Sequence, residues 1–167
     1  MKTRFVLFVS LVLSVAFFSC GKKAEKAADY NNSIIVRQMR VIEALDLMDS
    51  ILRDSGATDQ RMEYAFANLQ ATVKSAVMAV DSIGSFKSDP SLQIAARDLF
   101  RAYETMTDGD YARLVSIRNL PQPSITQAVV DSNNAIIGRI HVNSEEAQKK
   151  FIRAQDEFGK KYNLTFH

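Results

Sequence analysis

The chain has 167 residues, with 21 basic and 19 acidic side chains and one cysteine. A net charge of only +2 makes no electrostatic case for a nucleic-acid partner. A single thiol excludes a disulfide framework, and the length is enough for one domain with its own core.

Lys2 and Arg4 open the chain, and an apolar run follows from Phe5 to Phe18, broken only by Ser10 and Ser14. Ser19 and Cys20 close it. A charged start, a short apolar stretch and a small final residue make an export signal. A membrane-crossing helix needs about 20 apolar residues, because the hydrocarbon core is about 30 Å thick. This run is shorter, and Gly21-Lys22-Lys23 ends it. Loss of the signal removes Lys2 and Arg4 but no acid, so 19 charges of each sign remain and the expected mature protein is neutral. The expected organisation is a cleaved signal peptide over 1–19, Cys20 with a tether over 20–28, and a helical domain over 29–167. Lys22, Lys23 and Lys26, with only Glu25 against them, suit the tether to anionic headgroups. The same residues also suit a solvated linker.

The body of the chain reads as helix between proline and glycine marks. The first helix is expected over about 29–53, with Ile34, Val41 and Met48 on one stripe and Leu45 and Leu52 beside it; Gly56 ends it. Thr58 caps the second, over about 59–83. There Met62, Phe66, Leu69, Val73, Ala76, Val80 and Ile83 alternate spacings of four and three, as a bundle seam requires. The third opens with Asp89 as cap and Pro90 at its first position. Leu92, Ala96, Leu99, Tyr103 and Met106 form its inner face. Asp108-Gly109-Asp110 is expected to kink or break it before Leu114 and Ile117 resume the pattern. The fourth is expected to start at Ser124, with Gln127 completing a capping box. Its stripe runs through Ile125, Val129, Ile136, Ile140, Ala147, Phe151, Ala154 and Phe158. Ile136 to Val142 is β-branched and nearly alternating, but its helical flanks and the lack of a partner strand favour helix. The expected fold class is all-α, an antiparallel four-helix bundle after the signal peptide.

Few residues suggest chemistry. His141 and Glu145 stand at i and i+4, but two ligands do not make a zinc site, and an ordinary helical ion pair is the simpler reading. Asp108, Asp110 and Glu104 cluster around Gly109 without the loop spacing of a calcium site. No nucleophile elbow, phosphate loop or basic stripe is present. Tyr30, Tyr64, Tyr103, Tyr111 and Tyr162, with Phe66, Phe86, Phe100, Phe151 and Phe158, suit a core better than a ligand cavity. Asn31, Asn32, Gln38, Ser132 and Asn133 would be polar intrusions if they face inward, fixing register or marking a ligand site.

The segment Phe17-Phe18-Ser19-Cys20 resembles the lipobox of bacterial lipoproteins in its small Ser19 and its Cys20, and departs from it at Phe17, where Leu is usual, and at Phe18. That resemblance implies diacylglycerol on the Cys20 sulfur, cleavage before it and usually a third acyl chain. Two or more chains anchor stably, each buried methylene adding about 0.8 kcal/mol. It would also leave the mature chain without a free thiol. Gly21 rather than Asp follows the cysteine, which by resemblance to the enteric sorting rule implies the outer membrane. Asp29-Tyr30-Asn31-Asn32, Phe86-Lys87-Ser88-Asp89, Ala96-Arg97-Asp98-Leu99-Phe100 and the run from Ala154 to Tyr162 resemble an uncharacterised leptospiral-type surface lipoprotein family. This implies a helical bundle in the cell envelope and no particular activity.

The expectation is therefore a non-catalytic envelope lipoprotein, held at the membrane by lipid on Cys20, whose bundle presents a surface to an envelope protein. The alternative is a carrier or sensor that binds a small hydrophobic molecule or lipid inside the bundle. Neither reading requires a cofactor, a metal or a nucleic acid.

Overall fold

A computed structural model of the chain describes residues 21–164. The described residues are all-α, and their only β feature is an isolated bridge between Phe86 and Asp89. α1 spans Gly21–Arg53, α2 Asp59–Ile83 and α3 Ser91–Met106. A π-helical turn, Thr107–Tyr111, joins α3 to α4, Ala112–Arg118. A 3₁₀ turn, Gln122–Ser124, precedes α5, Gln127–Tyr162. α1 packs along α2, α2 along α3 and α3 along α5, and the α1–α5 contact is slighter. No helix of the described residues is long and apolar enough to cross a membrane.

α1 begins eight residues before the expected Asp29, at Gly21. Alanine is the best helix former, and Ala24, Ala27 and Ala28 populate this turn. Ala27 and Ala28 are buried, so the apolar stripe runs about two turns further back than Ile34. Ile34, Val41 and Met48 are fully buried as their spacing predicts. Ile51 is buried next, with Leu52 only partly so. Each fully buried side chain of this size contributes about 1.5–3 kcal/mol.

The Thr58 hydroxyl caps α2 by accepting the Arg61 backbone N–H at 3.3 Å. Met62, Leu69, Val73, Ala76 and Val80 are buried, while Phe66 and Ile83 pack at the core's edge. α3 opens one residue later than expected: Pro90, not Asp89, holds the capping position and Ser91 is the first helical residue, while Asp89 Oδ1 accepts the Ser91 backbone N–H at 3.1 Å and the Ser91 hydroxyl at 2.7 Å. Leu92, Ala96, Leu99, Tyr103 and Met106 are all buried on its inner face. The helix neither breaks nor stops at Asp108-Gly109-Asp110; it widens into the π turn and continues as α4. Glycine and aspartate are poor formers of a regular α-helix, and an isolated π turn is the usual way a helix absorbs such a stretch.

α5 corrects two expectations. Its cap is Thr126, not Ser124: the Thr126 hydroxyl accepts the Val129 backbone N–H at 3.4 Å. Pro121 and Pro123 commit Gln122–Ser124 to the 3₁₀ turn, so Ser124 cannot serve as cap. Gln127 closes no box and instead donates to Asp131 Oδ1 at 2.8 Å. Ile125 then lies before the helix and is exposed rather than in the stripe. Ile136 to Val142 is helical throughout. α5 is held chiefly through its second half, where Phe151 and Phe158 are buried; in its first half Val130 and Ile137 remain exposed.

Candidate functional site

Cys20, the expected lipidation site, lies outside the described residues, as does His167. Gly21, the next residue in the chain, is the first of α1. The end of the molecule nearest the expected anchor is therefore the end where α1 starts.

Four chain segments meet there. The Tyr30 hydroxyl, near the start of α1, donates to the Gly84 carbonyl at the end of α2 at 2.7 Å. Lys161, in the last turn of α5, donates to Asp89 Oδ2 at the start of α3 at 2.7 Å. Between these two bonds the rings of Tyr30, Phe86, Phe158 and Tyr162 pack on one another, with centroids 4.6–5.9 Å apart. Tilted and edge-on pairs of this kind add about 0.5–1.5 kcal/mol each beyond burial. Lys87 Nζ sits 5.1 Å from the Phe86 centroid and 5.8 Å from that of Tyr162, and Lys161 Nζ sits 5.7 Å from the Tyr162 centroid. These rings fill the space with each other and do not line a hollow.

The α2–α3 connection is unusual in backbone. Lys87 and Ser88 have φ of 49° and 65°, and the Asp89 N–H closes the turn on the Phe86 carbonyl at 2.9 Å. Successive left-handed residues are normally glycine or asparagine, because a Cβ there approaches the following carbonyl. Nothing in the local sequence announces this turn. The Lys161 ammonium, together with the Ser91 donors, holds the Asp89 carboxyl down at about 2.

The core holds two polar pairings. Gln155 donates to Asn31 Oδ1 at 2.9 Å, with both side chains buried. Of the five polar residues considered as intrusions, Asn31 alone is fully buried; Asn32, Gln38, Ser132 and Asn133 are half-buried at the margins. Farther along, Tyr111 in the π turn donates its hydroxyl to Asp49 Oδ1 at 3.0 Å. Burial pushes the Asp49 carboxyl above its ordinary value, against the pull of the Tyr111 bond and Arg53. Burial, with the adjacent Asp49 carboxylate, also raises the Tyr111 phenol. Two further glutamines bond across helices: buried Gln93 donates to the Val80 carbonyl at 3.0 Å, and Gln148, at the core's edge, to the Tyr103 hydroxyl at 3.0 Å. Their partners come from other helices, so sequence spacing carried no sign of them.

The remaining candidates disperse. Glu104 pairs with Arg101 at 2.7 Å, Asp110 with Arg139 at 2.7 Å, and Asp108 accepts from Gln70 at 3.4 Å. His141 Nε2 lies 4.0 Å from Glu145, which also pairs with Lys149 at 2.6 Å; all these side chains are exposed. No group of three or more metal-ligating side chains forms among the described residues. Two surface hollows open to solvent. One runs along α2 beside Lys74 and Met78, and the other lies between α2 and the π turn beside Thr107 and Asp108. Of the tyrosines and phenylalanines considered above, Phe100, Tyr103, Tyr111, Phe151 and Phe158 are buried in the core and Tyr64 is exposed.

Comparison with family models, with curated proteins and with solved structures finds no match for this chain.

Proposed function

We propose that this chain is a membrane-anchored lipoprotein of the bacterial cell envelope, acylated on Cys20, whose helical body is a non-catalytic interaction module. The observation that carries the reading is the placement of the only cysteine. Cys20 closes an export-type segment and stands directly before Gly21, where α1 begins. The lipobox resemblance and Gly21 together support the outer membrane as its address.

The body is an antiparallel four-helix bundle in this reading, with α3, the π turn and α4 forming one continuous rod. Three bonds support that arrangement. Tyr30 joins the start of α1 to the end of α2, Lys161 joins the end of α5 to the start of α3, and Tyr111 joins the π turn to the late part of α1. The partner is an envelope protein. Val36, Met39 and Leu47 on α1, and Val130 and Ile137 on α5, leave apolar side chains exposed on the two helices whose mutual contact is slight. A carrier or sensor would need a cavity among the aromatic rings, and the packing of Tyr30, Phe86, Phe158 and Tyr162 on one another weighs against it.

Expression of the wild type beside Cys20→Ala tests the anchor. Detergent-phase partitioning and intact mass are expected to find acyl chains on the first protein and none on the second. A wild type without lipid overturns the reading. Crosslinking in intact cells, with Val36→Glu and Ile137→Glu as controls, tests the partner surface. A captured envelope protein lost in both variants supports it, and identical capture by all three proteins refutes it.

A further inference from the structure

The tip of the molecule that carries the α1 start is chemically unlike the opposite tip. Residues 84–91 and 159–164 come together there through the Lys161–Asp89 bond, and the Tyr30–Gly84 bond sets them against α1, whose first residues, 21–26, precede Tyr30. These three segments contain six lysines and only two acids, Glu25 and Asp89. Asp89 is already held by Lys161. Asp29, beside Tyr30, adds a third acid against the six lysines; Glu157 stands farther back, five residues before Tyr162 and about 7–8 Å along the helix, and Asp81 pairs with Arg97 at 2.5 Å. The opposite tip, residues 53–59 and 118–126, is balanced, with Arg53 and Arg118 against Asp54 and Asp59. The chain over 20–167 is neutral, so the lysine excess at one tip is a local concentration of charge.

This tip also holds the half-buried rings of Phe86 and Tyr162, with Lys87 above both. In the left-handed Lys87-Ser88 turn of the α2–α3 connection both residues are exposed. Left-handed backbone at residues other than glycine persists where surrounding structure over-determines it. Here the Asp89 contacts to Ser91 and Lys161 hold the turn. Lysine beside an amphipathic ring is the composition that sits well at a membrane–water interface.

We propose that this lysine–aromatic tip docks onto the anionic phospholipid headgroups of the membrane that holds the Cys20 anchor, so that the helical body stands with the Phe86-Lys87-Ser88 turn on the bilayer. The inference rests on the anchor reading, which ties the chain just before Gly21, the first described residue of α1, to the headgroup layer. Each lysine near an anionic surface strengthens the contact by about fivefold. The attraction fades beyond a Debye length, about 10 Å at 0.1 M salt, so the acids set farther back oppose it less.

The test uses the full acylated protein in vesicles, one set of phosphatidylcholine alone and one with added phosphatidylglycerol. An environment-sensitive fluorophore is placed on Ser85→Cys at the lysine tip or on Ser55→Cys at the opposite tip. The lipidated Cys20 does not take the label. The Ser85 label is expected to blue-shift only with phosphatidylglycerol, and to lose most of the shift in high salt. Lys87→Gln with Lys160→Gln is expected to weaken it by more than about tenfold in the phosphatidylglycerol dependence. Both residues are exposed and outside the core, and circular dichroism checks that the variant is folded. A Ser85 signal equal in both vesicle types, or a Ser55 label that responds as strongly, overturns the docking. Intact mass on the same sample separates the two claims. Acylated protein with a silent Ser85 label refutes the docking alone, and an unmodified Cys20 refutes the anchor beneath it.

Discussion

Gln155 in α5 and Asn31 in α1, 124 residues apart in the chain, meet through a single 2.9 Å hydrogen bond inside the core. Both side chains are buried, Asn31 at 1% exposure and Gln155 at 6%. The pair also lies where the α1–α5 contact is made, although that contact is slight along most of its length.

Breaking this pair from one side strands a buried amide. Asn31→Leu or Gln155→Met alone is expected to cost about 1–3 kcal/mol, because the remaining partner keeps its full desolvation penalty. The double variant is expected to recover most of that loss. Urea unfolding midpoints of the four proteins form the cycle that checks it, and a double loss equal to the sum of the two single losses would mean the side chains do not act as a pair.

Gly138 and Gly84 are expected to respond oppositely to alanine. Gly138 lies within α5, and an added Cβ meets nothing within 4 Å, so Gly138→Ala is expected to stabilise by about 0.5–1 kcal/mol. Gly84 has equally open space, yet its φ of 67° with ψ of −175° is a conformation essentially reserved for glycine. Gly84→Ala is expected to destabilise by about 1–3 kcal/mol. Thermal melts of both variants measure the difference.

Asp49 carries a charge that burial disfavours, so its folded carboxyl titrates above the unfolded one. The folded state then binds this proton more tightly. The charge therefore lowers stability once pH rises above the raised folded value, and the penalty vanishes as pH falls below the unfolded value. Asp49→Asn keeps an oxygen acceptor for the Tyr111 hydroxyl and removes the charge. It is expected to gain on the order of 1 kcal/mol at neutral pH and nothing in acid, read from urea midpoints at both.

Asp89 has the opposite sign. Its carboxyl falls from 3.8 to about 2 in the fold, through Lys161 and then Ser91. The stabilisation is present in full above about pH 4 and is lost as pH falls through about 2. Asp89→Asn is expected to flatten the stability profile between those two values, which acid titration by circular dichroism detects.

The helical rods and their inward stripes were legible because a helix is a local structure. Ile34, Val41 and Met48, or Leu69, Val73, Ala76 and Val80, declare one face by spacing alone, and each of these residues is buried. Thr58 was legible as a cap for the same reason, since a cap contacts only the next turn. Ser124 was misread because the prolines at 121 and 123 offered a tighter turn that consumed it. Cys20 belongs to the sequence alone, since its expected role depends on neighbours in the chain and it lies outside the described residues.

Only the tertiary structure decided which distant groups meet. No spacing rule joins Asn31 to Gln155, Asp49 to Tyr111, or Lys161 to Asp89, because each bond depends on how whole helices lie against each other. The left-handed Lys87-Ser88 turn was likewise unreadable, because its residues lack the glycine or asparagine that signals such backbone. The concentration of lysines at one tip was hidden too. Lys23, Lys87 and Lys161 lie far apart in a chain whose charges cancel over 20–167, and they come together only when the ends of α1, α2, α3 and α5 do.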